Sequence, residues 1–138
     1  MHDLDVGLLE SFNDDNWQPR VSLLPPFDNL ICGRQRTNRV FGFDYNHEMF
    51  LPEHKRKYGY YVLCILWGEQ LIGRIDLRLE KSKERLMINS VHAEPGAPTD
   101  KVVASKIGER IEQLGDFLGA KEVVYTARVT KAWKNSLR

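Results

Sequence analysis

The stretch Tyr58–Ala93, YGYYVLCILWGEQLIGRIDLRLEKSKERLMINSVHA, decides the fold. Its first part, Tyr58–Trp67, is rich in aromatic and branched residues that suit a pleated, half-buried surface. Gly68-Glu69 then fits a two-residue hairpin turn with glycine at its first central position. In the following run Leu71, Gly73, Ile75, Leu77 and Leu79 face one way, and Ile72, Arg74, Asp76, Arg78 and Glu80 the other. That alternation predicts a strand in a sheet with one packed and one wetted face. Lys81–Glu84 makes a second turn and Arg85–Ala93 a third strand.

Working outward toward the C-terminus, Glu94-Pro95-Gly96-Ala97-Pro98 interrupts the sheet, and Thr99 is a good helix N-cap. Val103, Ile107, Ile111, Leu114 and Leu118 fall at helical spacing and stop at Gly119. A last strand is expected over Glu122–Val129, and the basic Lys131–Arg138 is expected to fray. Toward the N-terminus, Phe43, Tyr45, His47 and Met49 alternate with Asp44, Asn46 and Glu48, the period of a strand. Arg34–Val40 reads as a short helix stopped by Gly42, and Pro25-Pro26 fixes an extended or turning backbone. Residues 5–13 read as another short helix, capped by Asp3 or Asp5 and broken at Trp17-Gln18-Pro19. The expectation is an α+β fold: a mainly antiparallel meander covered by one long C-terminal amphipathic helix, with an irregular N-terminal segment containing short helices. Residues 1–22 read as a linker-like segment and 23–138 as a single α+β domain.

The bulk properties narrow the function. A chain of 138 residues has the length of one domain with a single sizeable core. Its formal net charge is only +1, but the charge is uneven. Residues 1–30 carry six acids against Arg20, net −5, whereas residues 31–60 carry six bases against three acids, net +3. Such a basic segment can attract a phosphate backbone; equally, it can be a solvated face paired with the acidic one. Cys32 and Cys64 stand far apart, as free thiols in a reducing compartment do, and the four histidines show no metal-ligand spacing. The start, MHDLDVGLLESF, lacks the pattern of a secretory signal, and no apolar run has the length of a membrane span. The expectation is a soluble cytoplasmic protein with no membrane, metal or cofactor requirement.

Several consecutive pieces form a longer signature: LLPPFDNLI (Leu23–Ile31), GRQRTNR (Gly33–Arg39), FGFDYNHEMFLP (Phe41–Pro52), KRKYGYYVL (Lys55–Leu63) and GEQLIGRIDLRLE (Gly68–Glu80). Together they resemble the C-terminal region of winged-helix proteins of the YcaQ/AlkZ type. The resemblance implies kinship with bacterial DNA glycosylases that excise bulky alkylated bases and unhook interstrand crosslinks. In that family the catalytic pair is a Gln-x-Gln or Gln-x-Asp motif in the N-terminal winged-helix part, and members are about three times as long as this chain. The resemblance therefore places Met1 just before the C-terminal region, with the winged helices outside this chain. Arg34-Gln35-Arg36 holds a lone Gln between arginines and is not the motif. Cys32-Gly33 also stands where the family pattern leads one to expect a Trp-Asp-like pair.

No catalytic residue is assigned. The candidate DNA-contacting set is Arg34, Arg36 and Arg39 with Lys55, Arg56 and Lys57, since Arg and Lys from a helix end and a loop suit phosphate contacts. Tyr58, beside the basic run, is positioned to stack on an unpaired base. The competing reading pairs Arg34 with Asp28 or Asp44 and leaves the run as a solvated turn. Arg74, Asp76 and Arg78 read as a same-face ion network at the surface, and His92 as structural or exposed. His47-Glu48 is no acid–base pair, because neighbouring strand residues diverge.

Three functional classes follow. The first is a non-catalytic accessory domain supporting DNA binding or the architecture of a base-excision repair protein, with duplex DNA and a winged-helix partner or fused module as partners. The second is an acetyltransferase-like, acyl-CoA-binding domain, which needs a glycine-rich pyrophosphate loop at the start of the long helix. Residues 94–99, EPGAPT, serve that poorly, since two prolines remove donors and an acid opposes phosphate. The third is a structural or oligomerisation module pairing through sheet edges.

Overall fold

A computed structural model of the chain describes residues 18–126 together with residues 129, 133 and 137. The short helix expected over residues 5–13 lies outside them. The sheet comprises β1 (Val21–Leu24), β2 (Val62–Trp67), β3 (Gln70–Glu80), β4 (Arg85–Ala93) and β5 (Glu122–Tyr125), in that spatial order. The first four strands pair antiparallel, starting from Val21 opposite Trp67, and β5 lies parallel to β4. A parallel return needs a crossover, and helix α2 (Lys101–Phe117) supplies it. Helix α1 (Arg34–Phe41) sits in the long β1–β2 connection, with Gly42 left-handed at its C-terminus as expected. The fold is thus α+β and mostly antiparallel, with α2 as the long helix and α1 as the short one read over Arg34–Val40.

The hairpin reads as its sequence predicted. Gly68 has φ 60, Glu69 is not among the positive-φ residues, and Trp67 pairs with Gln70. Helix α2 begins one residue later than expected. Asp100, not Thr99, is its N-cap, with a carboxylate oxygen accepting the Val103 N–H at 3.0 Å. One face of α2, carrying Val103, Ala104, Ile107 and Ile111, packs on Ile65, Ile75, Leu86, Ile88 and Val91 of the sheet. Each fully buried branched side chain there contributes about 2 kcal/mol of apolar transfer free energy.

Three expectations are corrected. The strand read over Phe43–Met49 does not form: Phe43 and Tyr45 do point inward, but Glu48–Phe50 is a single 3-10 turn. Side chains of this segment, rather than a strand ladder, tie it to β2 and to the Tyr58–Gly59 backbone. The Tyr45 hydroxyl donates to the Val62 carbonyl at 2.8 Å, and the Glu48 carboxylate accepts the N–H groups of Tyr58 (2.8 Å) and Gly59 (3.2 Å). The tail expected to fray supplies Trp133 and Leu137 to the helix-side core, where the Trp133 Nε1–H donates to the Pro98 carbonyl at 3.0 Å.

The third correction concerns the wetted face of β3. Residues 71–75 are buried on both faces. Ile65 pairs with Gly73 while Leu66 pairs with Leu71, so Ile72 is an extra residue on β3. This bulge shifts the alternation by one residue. Ile72 joins Ile75 in the helix-side core, and Leu71 moves to a second core on the opposite face, with Leu24, Ile31, Phe43, Tyr45, Val62 and Cys64. The irregular connection between β1 and β2 therefore covers the face that the alternation had left to water.

Candidate nucleic-acid interface

The candidate side chains all come from that covering segment. Arg34, at the start of α1, faces Asp44 through two hydrogen bonds, Nε to Oδ1 at 2.8 Å and Nη2 to Oδ2 at 3.2 Å. This fork geometry holds the Asp44 carboxyl below the usual carboxylate range, chiefly through the hydrogen bond, and raises the Arg34 pKa. Of the two partners foreseen for Arg34, the structure selects Asp44. Arg36 donates to the Asn29 carbonyl, and Arg39 is exposed in the last turn of α1. Thr37, on the buried side of the same helix, donates from its hydroxyl to Leu30 and Gly33 carbonyls and so fixes the helix orientation.

The second basic run occupies a 3-10 turn, Glu53–Lys55, and the residues after it. Lys55 and Lys57 are exposed. Arg56 is held: its Nε–H is shared between the carbonyls of Leu51 (3.0 Å) and Glu48 (3.2 Å), and its guanidinium lies 4.9 Å from the Tyr60 ring centre. The Tyr58 ring is already engaged, with the Arg74 guanidinium 4.3 Å from its centre, the Lys57 ammonium at 5.1 Å and the His92 ring edge-on at 5.2 Å. Tyr60, two positions on in the same YGYY stretch, is 58% exposed and presents the better stacking surface.

Arg74 joins these pieces. The reading that put it in a surface ion network is corrected: it is only 5% exposed, and Asp76 and Arg78 do not pair with it. Its guanidinium stacks on Phe43 (4.1 Å) as well as Tyr58, donates to the Asp44 backbone carbonyl at 2.5 Å, and pairs with Glu94 at 3.0 Å. A planar cation satisfied along its edge and covered on its faces suits a buried site in a way lysine cannot. Arg74 thereby connects the α1 side, through Asp44, to the Lys57–Tyr58 side. His92 sits beside this cation, and burial, then Arg74 and Lys57, lowers its pKa.

Between the Glu53–Tyr61 segment and strands β3 and β4 opens a cleft of about 600 Å³. Arg56, Lys57, Tyr60 and Arg78 contribute cations and an aromatic ring to it, and Asp76 and Asn89 contribute a carboxylate and a carboxamide. Asn89 Nδ2 donates to Asp76 Oδ2 at 3.2 Å. Burial raises the Asp76 pKa, while the bond from Asn89 acts against the rise. Gly59 makes this arrangement possible: its φ is 150, and a Cβ there would stand 2.2 Å from the Asp76 carboxyl carbon. Tyr60 and Asn89 were not singled out from sequence, and Asp76 was read only as part of a surface ion network. Their only signal was the YGYY run facing polar positions of β3, and the bulged register decides how those meet.

Other chemistries find less support in the arrangement. Among the described residues no group of three or more His, Cys, Asp or Glu side chains is placed to hold a metal ion, and no helix is long and apolar enough to cross a membrane. Cys64 is fully buried, and burial pushes its thiol up to about 12, far from a reactive thiolate. At the start of α2 the Asp100 carboxylate takes the Val103 N–H, and Glu94 answers Arg74, so the loop an acyl-CoA pyrophosphate would need presents two acids. The family description "DNA glycosylase AlkZ-like" matches residues 7–117, through β1 to β4 and all of α2. No solved structure matches the chain. With four-fifths of its length matched, the chain belongs to the AlkZ-like DNA glycosylase family.

Proposed function

We propose that the chain is a non-catalytic C-terminal domain of a base-excision repair protein and contacts duplex DNA through phosphate-binding cations. The observation that carries this reading is a division of labour among the bases of the family-matched segment. Arg34, Arg36 and Arg56 are tied to Asp44, Asn29 and the Glu48–Leu51 turn, and so shape the covering segment. Arg39, Lys55 and Lys57 extend from it into solvent. Fixed arginines set the surface, and exposed side chains reach phosphates that position DNA without reading its sequence. Arg34, Arg36, Arg39, Lys55, Arg56, Lys57 and Tyr58 remain the proposed interface, with Tyr58 as support for Lys57 rather than as the stacking ring. The domain unit is residues 23–138, preceded by the linker-like segment 1–22, whose Val21 and Ser22 enter β1.

Catalysis is assigned elsewhere because neither Gln-x-Gln nor Gln-x-Asp occurs in the chain. The partner that fits is a winged-helix module, fused or separate, carrying that motif, and the compartment is the cytoplasm. The test is duplex-DNA binding by the full chain over a range of salt concentrations. Each phosphate contact removed lowers the slope of log K against log salt by roughly one. Lys55→Ala with Lys57→Ala should therefore lower it by roughly two. Absence of duplex binding at low salt, or release of an alkylpurine by the purified chain, would overturn the reading.

A further inference from the structure

The duplex-contact reading uses the rim of the cleft and leaves its interior unexplained. The volume, about 600 Å³, suits one small planar ligand. Tyr60 carries Arg56 against its ring and still exposes more than half its surface. Lys57 and Arg78 stand at the same cleft, and Arg78 shares its Glu80 partner with Arg85 and Lys83, so that carboxylate does not neutralise it fully. Asp76 and Asn89 form an adjoining pair rich in acceptors: Asn89 spends one N–H on Asp76 and keeps its carbonyl oxygen. An aromatic platform, cations, and a carboxylate beside a carboxamide match the three parts of a nucleotide: ring, phosphate and polar base edge.

We infer that this cleft binds a single unstacked nucleotide, its base against Tyr60 and the Asp76–Asn89 pair and its phosphate toward Lys57 and Arg78. The inference rests on the nucleic-acid reading above and adds a ligand to it. A peptide arginine also offers a planar edge with adjacent donors, but it would bring a cation up to Lys57 and Arg78, whereas a nucleotide brings a phosphate that answers them. Guanine offers such an edge, whereas thymine offers one donor between two carbonyls. The pocket should therefore favour guanine over thymine.

The experiment titrates the full chain with dGMP, with a short guanine-containing single strand, with the matching thymine strand, and with the corresponding duplex. The expected result is saturable binding of the guanine single strand, weakened roughly tenfold by Tyr60→Leu and restored by Tyr60→Phe. Asp76→Asn should erase the preference over thymine. Arg110→Ala, on the exposed side of α2 and outside the cleft, should leave that preference intact. Binding of dGMP with the same dependence on Tyr60 and Asp76, without strand binding, supports the pocket and makes a free nucleotide its source. Duplex binding with normal salt dependence but no effect of Tyr60→Leu on any nucleotide overturns the inference and leaves the duplex reading standing. Loss of binding to every nucleic acid tested overturns both.

Discussion

The two faces of the sheet are held by different physics. On the α2 side the core is almost wholly aliphatic, with Ile65, Ile75, Leu86, Ile88, Ile107 and Ile111 buried around Trp133. On the other side a smaller core is bordered by Arg74, Asp44, Glu48 and Glu94, and much of the order comes from side chains bonded to backbone. Apolar packing holds regular elements together without regard to direction. Irregular backbone has no ladder to satisfy it, so specific carboxylates, hydroxyls and guanidinium groups must do so. The candidate interface lies on the second face because that segment can carry exposed cations while polar contacts hold its shape.

The largest effects should separate the faces. Ile107→Ala empties a fully buried site on α2 and should cost about 4 kcal/mol, measured as a shift in the urea midpoint of the whole chain. Arg74→Ala leaves Glu94 and the Asp44 carbonyl without their donor and strips the cation from two rings. Its cost should be about 3 kcal/mol. Hydrogen exchange should distinguish the two losses: Ile107→Ala raises exchange throughout the sheet, whereas Arg74→Ala raises it first between residues 43 and 61. Uniform loss of protection in both variants would dissolve the distinction. Glu48→Ala should cost less, about 2 kcal/mol, because it strands the N–H groups of Tyr58 and Gly59 while leaving Arg74 in place.

The same division explains what the sequence revealed. Helix-side residues such as Val103, Ile107 and Ile111 repeat at helical spacing, and strand bounds such as Arg85–Ala93 were legible to the residue. The parallel pairing of β5 was not, since a crossover helix and a meander share the same local pattern. On the opposite face Phe43 and Tyr45 were rightly read as inward-facing but wrongly as a strand, because alternation records burial and not the partner that satisfies the backbone. Arg74 looked like an exposed strand residue because its cover, Phe43 and Tyr58, lies 31 and 16 positions away in the chain. Trp133 was lost in a basic tail for a similar reason: its partner at Pro98 is 35 residues distant.

Acidity should act more gently, and within the polar face, where both His92 and Asp76 lie. The His92 pKa is lowered in the fold, so an unfolded chain takes up that proton first, near the ordinary value of about 6.5. Stability tied to neutral His92 is thus present above that pH and is lost as pH falls through the folded value. Asp76 runs the other way. With its pKa raised, the stability associated with its protonated form is present below about 3.9 and is lost as pH rises through the folded value. His92→Gln should therefore gain on the parent chain in urea midpoint as pH is lowered from 7.5 toward 5, and Asp76→Asn should gain as it is raised. Failure of either crossing would show that the group is solvated in the fold as it is in the unfolded chain.

The smallest expected change is at the most conspicuous ion pair. Arg34 and Asp44 meet through two hydrogen bonds, yet both side chains are more than half exposed, where water and salt screen the attraction and ordering long side chains offsets it. Asp44 nevertheless sits at a junction, because Arg74 also binds it. The bond from Arg74 goes to the Asp44 backbone carbonyl, which every substituted side chain preserves. Asp44→Ala should then leave the urea midpoint and the exchange pattern of residues 43–61 close to those of the parent, while freeing Arg34 to steepen the salt dependence of DNA binding. A loss approaching that of Arg74→Ala would mean that the carboxylate, rather than the carbonyl, anchors the segment, and that the surface pair belongs to the polar core beneath it.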